Sequence, residues 1–320
     1  MLNILYLLLG IGLLTAGGEV LIRGSLSIAK RLGISPLLSG LVIVGFGTSM
    51  PELVVSVDAA MNGQPDIAIG NVIGSNIANI LLILGACALI TPLAVSPLSL
   101  RRDAVVVIAA SLLFIVLAAG ESLSTVDGLI LITALFSYLV WAYWTERSQS
   151  APSGAVHEAE AAEIEKVPES SLWSAVSVIG GLALLIAGSQ VLLKGAVGIA
   201  SSLGVSEAVI GLTIVAVGTS LPELTISVIA ALRRHADVAV GNILGSNIFN
   251  LLGILGVSAI LQPLTLKGRV LEFDQWVMLG VACLIFVFLY TGRKLSRTEG
   301  GTLLAGYFAY LGISYFFIEG

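Results

Sequence analysis

The sequence predicts an all-α polytopic membrane protein of ten transmembrane helices, arranged as two inverted five-helix repeats. Three observations carry that expectation. The chain is 57% hydrophobic and only 11% charged, against about 25% charged in ordinary globular domains, so most of it is built for lipid. Adding 171 to any position from about Gly10 to Leu93 lands on a repeat mate without a gap, with 26 identities in the 45 positions from Leu41 to Gly85. Each copy holds an odd number of apolar segments, so the second copy must enter the membrane from the opposite side.

At about 20 apolar residues per span, the first copy places helices near residues 2–23, 34–61, 66–91, 103–119 and 125–145. Their mates fall near 171–195, 206–231, 236–262, 272–291 and 301–318. After one inserted residue the repeat resumes more weakly, with Asp127-Gly128 facing Glu299-Gly300 and Tyr138-Leu139 facing Tyr310-Leu311. The units read as 1–147 for the first repeat, 148–170 for a polar cytoplasmic linker carrying Pro152 and Pro168, and 171–320 for the second repeat. Asp66 and Asp237 open the third and eighth helices, where a carboxylate suits the positive helix N-terminus.

Basic residues orient the chain, because short cytoplasmic loops collect Lys and Arg. With the N-terminus outside, the inner loops hold eleven: Lys30, Arg31, Arg101, Arg102, Arg147, Lys166, Arg233, Arg234, Arg293, Lys294 and Arg297. The outer loops hold two, Lys267 and Arg269, while Arg23 and Lys194 sit towards helix ends. Both termini are then external on a multi-pass protein of the cell membrane. Met1-Leu2-Asn3 lacks the basic start of a cleavable signal peptide. The net charge of −5 comes partly from the linker and implies no nucleic acid; no obligate protein partner is evident. Cys87 and Cys283 are not repeat mates, and His157 and His235 fall in the linker and a loop, so neither residue type supports a metal centre or a disulfide framework.

The chemistry lies in two motifs. Gly47-Thr48-Ser49-Met50-Pro51-Glu52 and Gly218-Thr219-Ser220-Leu221-Pro222-Glu223 each set a carboxylate after a proline inside an apolar run. A charge at that depth costs about 2.5–3.5 kcal/mol on insertion scales, which marks it as functional. The prolines remove an amide donor and crowd the carbonyls of Gly47 and Gly218, four residues back. Freed backbone at membrane depth is tolerated where it faces protein or a water-lined cavity, and broken helices of this kind bind cations in secondary transporters.

The third helix of each copy supplies more oxygens. Gly70-Asn71-Val72-Ile73-Gly74-Ser75-Asn76-Ile77-Ala78-Asn79 is mirrored by Gly241-Asn242-Ile243-Leu244-Gly245-Ser246-Asn247-Ile248-Phe249-Asn250. Ser75 shares a helix face with Asn79, and Ser246 with Asn250. Asn71, Asn76, Asn242 and Asn247 read as amides that join helices. Two carboxylates, the hydroxyls of Thr48, Ser49, Thr219 and Ser220, two serines, two amides and loosened carbonyls make an all-oxygen set. Hard cations take such ligands, and no Arg or Lys in the motifs balances the glutamates, so one Ca²⁺ or two Na⁺ would.

These paired motifs resemble the two alpha repeats of the calcium/cation antiporter superfamily, nearest in pattern to prokaryotic sodium/calcium exchangers. The resemblance covers nearly the whole chain. It implies a transporter, not an enzyme, with Ca²⁺ and Na⁺ as transported ions, no cofactor, and the lipid bilayer as its surroundings. It implies a central site with Glu52 and Glu223 as principal ligands, flanked by Thr48, Ser49, Ser75, Asn79, Thr219, Ser220, Ser246 and Asn250. Backbone carbonyls near Gly45 and Ala216 are added, and the first and sixth helices, here Leu2 to about Lys30 and Ser171 to about Ser201, slide to alternate access. Several exchangers of the superfamily carry aspartate where this chain has Asn250, which leaves a formal site charge of −2 rather than −3. Cation/proton members carry a glutamate near Gly74 and Gly245. Calcium/proton or other divalent/cation exchange, potassium-dependent exchange included, is the alternative within the class, and a cation channel the alternative outside it. Asp58 and Glu19, whose mates are Ile229 and Gln190, read as lining an aqueous approach or a helix end.

Overall fold

The structure is a computed structural model and describes residues 2–34, 36–94, 100–148, 170–202 and 216–319. Ten helical rods run through the described residues. The first half holds α1 (Leu2–Leu32), α2 (Pro36–Ser39, Gly40–Gly45, Phe46–Thr48 and Met50–Met61 in succession), α3 (Pro65–Ile90), α4 (Leu100–Ala104 continuing as Val105–Ala118) and α5 (Thr125–Ser148). The second holds α6 (Ser171–Ser202), α7 (Ala216–Thr219 and Leu221–Leu232), α8 (Ala236–Leu261), α9 (Val270–Gly292) and α10 (Arg297–Glu319). Six of these are single helices long and apolar enough to cross a membrane, and the bent α2 makes a seventh. The expected helix from 206 is described only from Ala216 onward, and most of the expected linker lies outside the described residues.

The inversion is visible in contacts between repeat mates. Gly10, Gly17 and Gly24 of α1 meet Leu192, Gly181 and Ser177 of α6 in that order, so the two mates run antiparallel. A Cβ on Gly17 would stand 2.9 Å from the Gly181 carbonyl oxygen, so glycine is what lets the two backbones touch. Two short antiparallel ladders repeat the symmetry in the loops: Leu93 pairs with Leu295, and Ser122 with Thr265. Each ladder ties a loop of one half to a loop of the other on the same side of the membrane, as an inverted duplication requires.

Conserved geometry between the halves extends to buried polar anchors. Tyr138 donates to Asp103 at 2.9 Å, and its mate Tyr310 donates to Asp274 at 3.0 Å. Each aspartate also holds an arginine, but from different places: Arg102 beside Asp103, and Arg269 from the turn before α9 onto Asp274. Ser124 with Asp127, and Ser296 with Glu299, close capping boxes at the starts of α5 and α10.

The structure refines three expectations. α1 and α6 run to Leu32 and Ser202, beyond the apolar spans ending near 23 and 195 and close to the Lys30 and Ser201 bounds that the resemblance implies; within α1, Glu19 holds Arg23 one turn on. The break expected in the membrane element from residue 34 is present: α2 is two rods bent by 47° at Ser49. Arg102, counted among loop cations, is 2% exposed and ion-paired to Asp103 at 2.6 Å; desolvation forbids it to stand unpaired. The inner excess of basic residues survives its removal.

Candidate cation site

α3 and α8 are the most buried rods, and the breaks of α2 and α7 lie against them. The approach of α2 to α8 is backbone on backbone: an added Cβ on Gly245 would sit 2.1 Å from the Leu41 carbonyl oxygen, and one on Gly45 would sit 2.8 Å from the Asn242 carbonyl oxygen. We expect Gly245→Ala to displace α2, because the clash is with main chain and not with a side chain that can turn away. The measurement is thermal stability in detergent together with cation binding, and both should fall.

Breaking α2 and α7 after Thr48 and Thr219 places Glu52 and Glu223 in the first turn of the following helical segment, where the helix dipole favours negative charge. Both glutamates are 1% exposed. Each is held by the serine of the opposite motif: Ser49 Oγ donates to Glu223 Oε1 at 2.9 Å, and Ser220 Oγ donates to Glu52 Oε1 at 3.1 Å. This exchange brings the two carboxylates to one place across the pseudo-two-fold axis. Thr219 stands beside Glu52, and Thr48 beside Glu223.

The asparagines are arranged by the same symmetry. Asn79 Nδ2 donates to Asn247 Oδ1 at 3.0 Å, and Asn250 Nδ2 donates to Asn76 Oδ1 at 3.1 Å. Asn76 and Asn247 in turn each donate to the other's backbone carbonyl, at 3.3 and 3.2 Å. With its NH₂ engaged, each of Asn79 and Asn250 keeps a free amide oxygen. Both sit where α3 and α8 widen into π-helical turns, at Asn79–Leu84 and Phe249–Ile254; such turns recur at functional sites. Asn71 and Asn242 hook the carbonyls of Glu52 and Glu223 and the hydroxyls of Ser56 and Ser227, fixing α2 on α3 and α7 on α8.

Buried oxygens without a hydrogen-bond partner identify what the cluster lacks. Among the described residues seven buried side-chain polar atoms are unpartnered, and five belong to this set: Glu52 Oε2, Glu223 Oε2, Asn79 Oδ1, Asn250 Oδ1 and Thr219 Oγ1. Unmet acceptors of that kind are costly in a low dielectric. A hard cation is the kind of partner such oxygens take. Ser75 and Ser246 are buried one turn before the asparagines, and Ser246 Oγ donates to the Gly45 carbonyl at 3.0 Å. The Thr48 hydroxyl has one proton to share between Gly45 O, at 3.3 Å, and Asn242 Oδ1, at 3.2 Å. A hydroxyl that gives away its proton keeps lone pairs for a metal. The Gly45 carbonyl thus already faces two hydroxyls, and the Ala216 backbone begins the described part of α7. No group of three or more His, Cys, Asp or Glu gathers among the described residues, so two carboxylates carry the charge of this donor set.

Two features lay outside the sequence reading. The orienting role of Asn76 and Asn247 was legible only as helix joining. Ser189 of α6, whose mate is Gly18, donates to the loosened Gly218 carbonyl at 2.6 Å; its position in a Gly-Ser-Gln stretch carries no signal of that contact.

A duplicated, inverted bundle in which two broken helices enclose an oxygen cage defines a membrane carrier of cations. The profile described as sodium/calcium exchanger protein matches residues 2–144 and again 173–316. CaxA of Alkalimonas amylolytica is 40% identical over 311 residues, covering 96% of each chain. The sodium/calcium exchanger MaX1 of Methanosarcina acetivorans is 30% identical, covering 98% of this chain and 99% of its own. Solved structures of the sodium-calcium exchanger NCX_Mj, soaked with Na⁺ and Ca²⁺, superpose with a TM-score of 0.82 at 31% identity over 98% of both chains. The chain belongs to the sodium/calcium exchanger family: a multi-pass membrane cation exchanger, not an enzyme.

Proposed function

We propose that the protein exchanges Na⁺ for Ca²⁺ by alternating access, with both ions competing for one site between Glu52 and Glu223. The observation that carries this reading is the set of five unpartnered oxygens from four helices, two of them carboxylate. Calcium takes about 6–8 oxygens; the hydroxyls of Thr48, Ser49, Ser75, Ser220 and Ser246 and the carbonyls at Gly45 and Ala216 supply the rest. One Ca²⁺ or two Na⁺ neutralise the pair, so the ions replace one another at a fixed charge. The chain carries glycine at positions 74 and 245, near where proton-coupled relatives carry a glutamate, which favours sodium coupling over proton coupling.

The test is flux. Proteoliposomes loaded with Na⁺ should take up radioactive calcium saturably, and collapsing the sodium gradient with an ionophore should stop it. Uptake that persists without the gradient would indicate a channel; uptake that follows an imposed pH gradient instead would indicate proton coupling.

The same reading assigns 1–147 and 171–320 as the two repeats, 148–170 as a cytoplasmic linker, and both termini to the outside. In a cysteine-free background, a cysteine at Asn62 should react with an impermeant maleimide on intact cells and one at Ser153 should not. The reverse pattern would overturn the orientation.

A further inference from the structure

Residues that are equivalent by sequence are not equivalently covered. In α7, Ile226 is 0% exposed, and Gly18 of α1 lies against Ile226, Ile229 and Thr225. Their mates in α2 are Val55, Asp58 and Val54, and here Val54 is 66% and Val55 38% exposed, with Asp58 exposed as well. The α1–α7 contact is therefore closed and the corresponding α6–α2 contact is open. Among the described residues, α1 covers α7 near the Arg233 turn, while the matching face of α2 near the Asn62 turn is left uncovered.

Among the described residues, an ion pair joins α1 to α7 on the covered side. Glu19 of α1 accepts from Arg233, at the end of α7, through Oε2 at 2.9 Å, while its Oε1 accepts from Arg23 of its own helix at 2.7 Å. The mates of Glu19, Arg23 and Arg233 are Gln190, Lys194 and Asn62. Closing the opposite side would bring an amide against an amide, with Lys194 over the Tyr6 ring as the nearby cation.

We propose that Glu19 and Arg233 form a one-sided electrostatic latch that biases the access equilibrium of the exchanger towards closure on the Arg233 side. The proposal deepens the alternating-access reading and rests on it. The latch joins the α1–α6 pair, whose helices hold mainly each other, to the rest of the bundle, so it breaks when that pair moves across α7. Arg23 cannot serve, because its bond to Glu19 lies within α1 and survives the movement. Since the pair is partly solvated, its contribution is modest: an exposed ion pair corresponds to about a 1.5- to 5-fold change in an equilibrium.

The experiment reads the two sides without transport. In a cysteine-free full-length protein, Val54→Cys reports the uncovered side and Thr225→Cys the covered side, each by maleimide labelling rate in oriented vesicles. Glu19→Gln and Arg233→Gln should each slow labelling at Val54→Cys and speed it at Thr225→Cys, changing the ratio ~2- to 5-fold. The double variant should shift it no further than either single, and Arg23→Gln should leave it unshifted. Raising ionic strength with a non-transported salt should move the parent in the same direction and leave Glu19→Gln unmoved, a second readout free of mutation in the parent. The latch is overturned if neither single variant changes the ratio, if their effects multiply in the double, or if Arg23→Gln acts like Arg233→Gln. Failure of alternating access itself looks different: the two labelling rates would then not move in opposite senses when Na⁺ is exchanged for Ca²⁺ in the parent.

Discussion

Glu52→Gln and Glu223→Gln should each abolish calcium exchange while leaving the protein folded. At a ligand distance of about 2.4 Å, a carboxylate attracts a divalent ion by about 14 kcal/mol even at an effective dielectric of 20, before desolvation is subtracted. No amide dipole replaces that. The substituted side chain keeps an oxygen where Glu52 Oε1 accepts from Ser220 or Glu223 Oε1 accepts from Ser49, so the bond across the two halves survives. Its NH₂ then occupies the place of the free Oε2 and points two donors into the cage. Flux in proteoliposomes and thermal stability in detergent, measured side by side, separate loss of binding from loss of fold. Near-normal flux in either variant would remove that glutamate from the site.

Asn250→Leu should have the next largest effect, because it deletes both the free Oδ1 and the donor to Asn76. Asn79→Leu should match it by symmetry. The informative comparison is Asn76→Ala, which leaves every proposed ligand in place and removes the acceptor that orients Asn250 together with one donor to the Asn247 carbonyl. Partners that orient metal ligands typically contribute about 10- to 100-fold to affinity, and a loss of that size in calcium affinity is expected. If Asn76→Ala binds calcium like the parent while Asn250→Leu does not, the amide of Asn250 needs no orienting partner. If both bind normally, the asparagines only join helices.

Much of this was legible in the sequence because the chain was written twice. The 171-residue offset made the inversion a matter of parity, and it paired Glu52 with Glu223 before any coordinates. What it could not reveal is which half serves which. Ser49 sits three residues from Glu52 in the chain, yet it holds Glu223, because the break at Ser49 turns its hydroxyl across the axis. Asn76 and Asn79 likewise look like neighbours on one helix, whereas each works with the opposite half, through Asn250 and Asn247. Such contacts depend on the distance between α3 and α8, and no local pattern encodes a distance.

Charge placement was the weaker part of the reading, for a related reason. Arg102, Arg23 and Arg233 all look like loop or helix-end cations by spacing. Each has a carboxylate partner that spacing does not show; Arg233 does end α7 as expected, but its partner lies 214 positions away. Hydropathy counts a charge the same whether it is solvated or paired.

The central claim is that one cage holds both ions, and an ion seen in it tests that most directly. Crystals of the protein soaked in Sr²⁺, a calcium stand-in with a strong anomalous signal, should show a single anomalous peak within about 2.3–2.8 Å of Glu52 Oε2 and Glu223 Oε2, with the Asn79 and Asn250 oxygens also turned towards it. Raising Na⁺ in the soak should erase that peak. A peak elsewhere in the bundle, or one that Na⁺ does not displace, would contradict a shared site between the two glutamates.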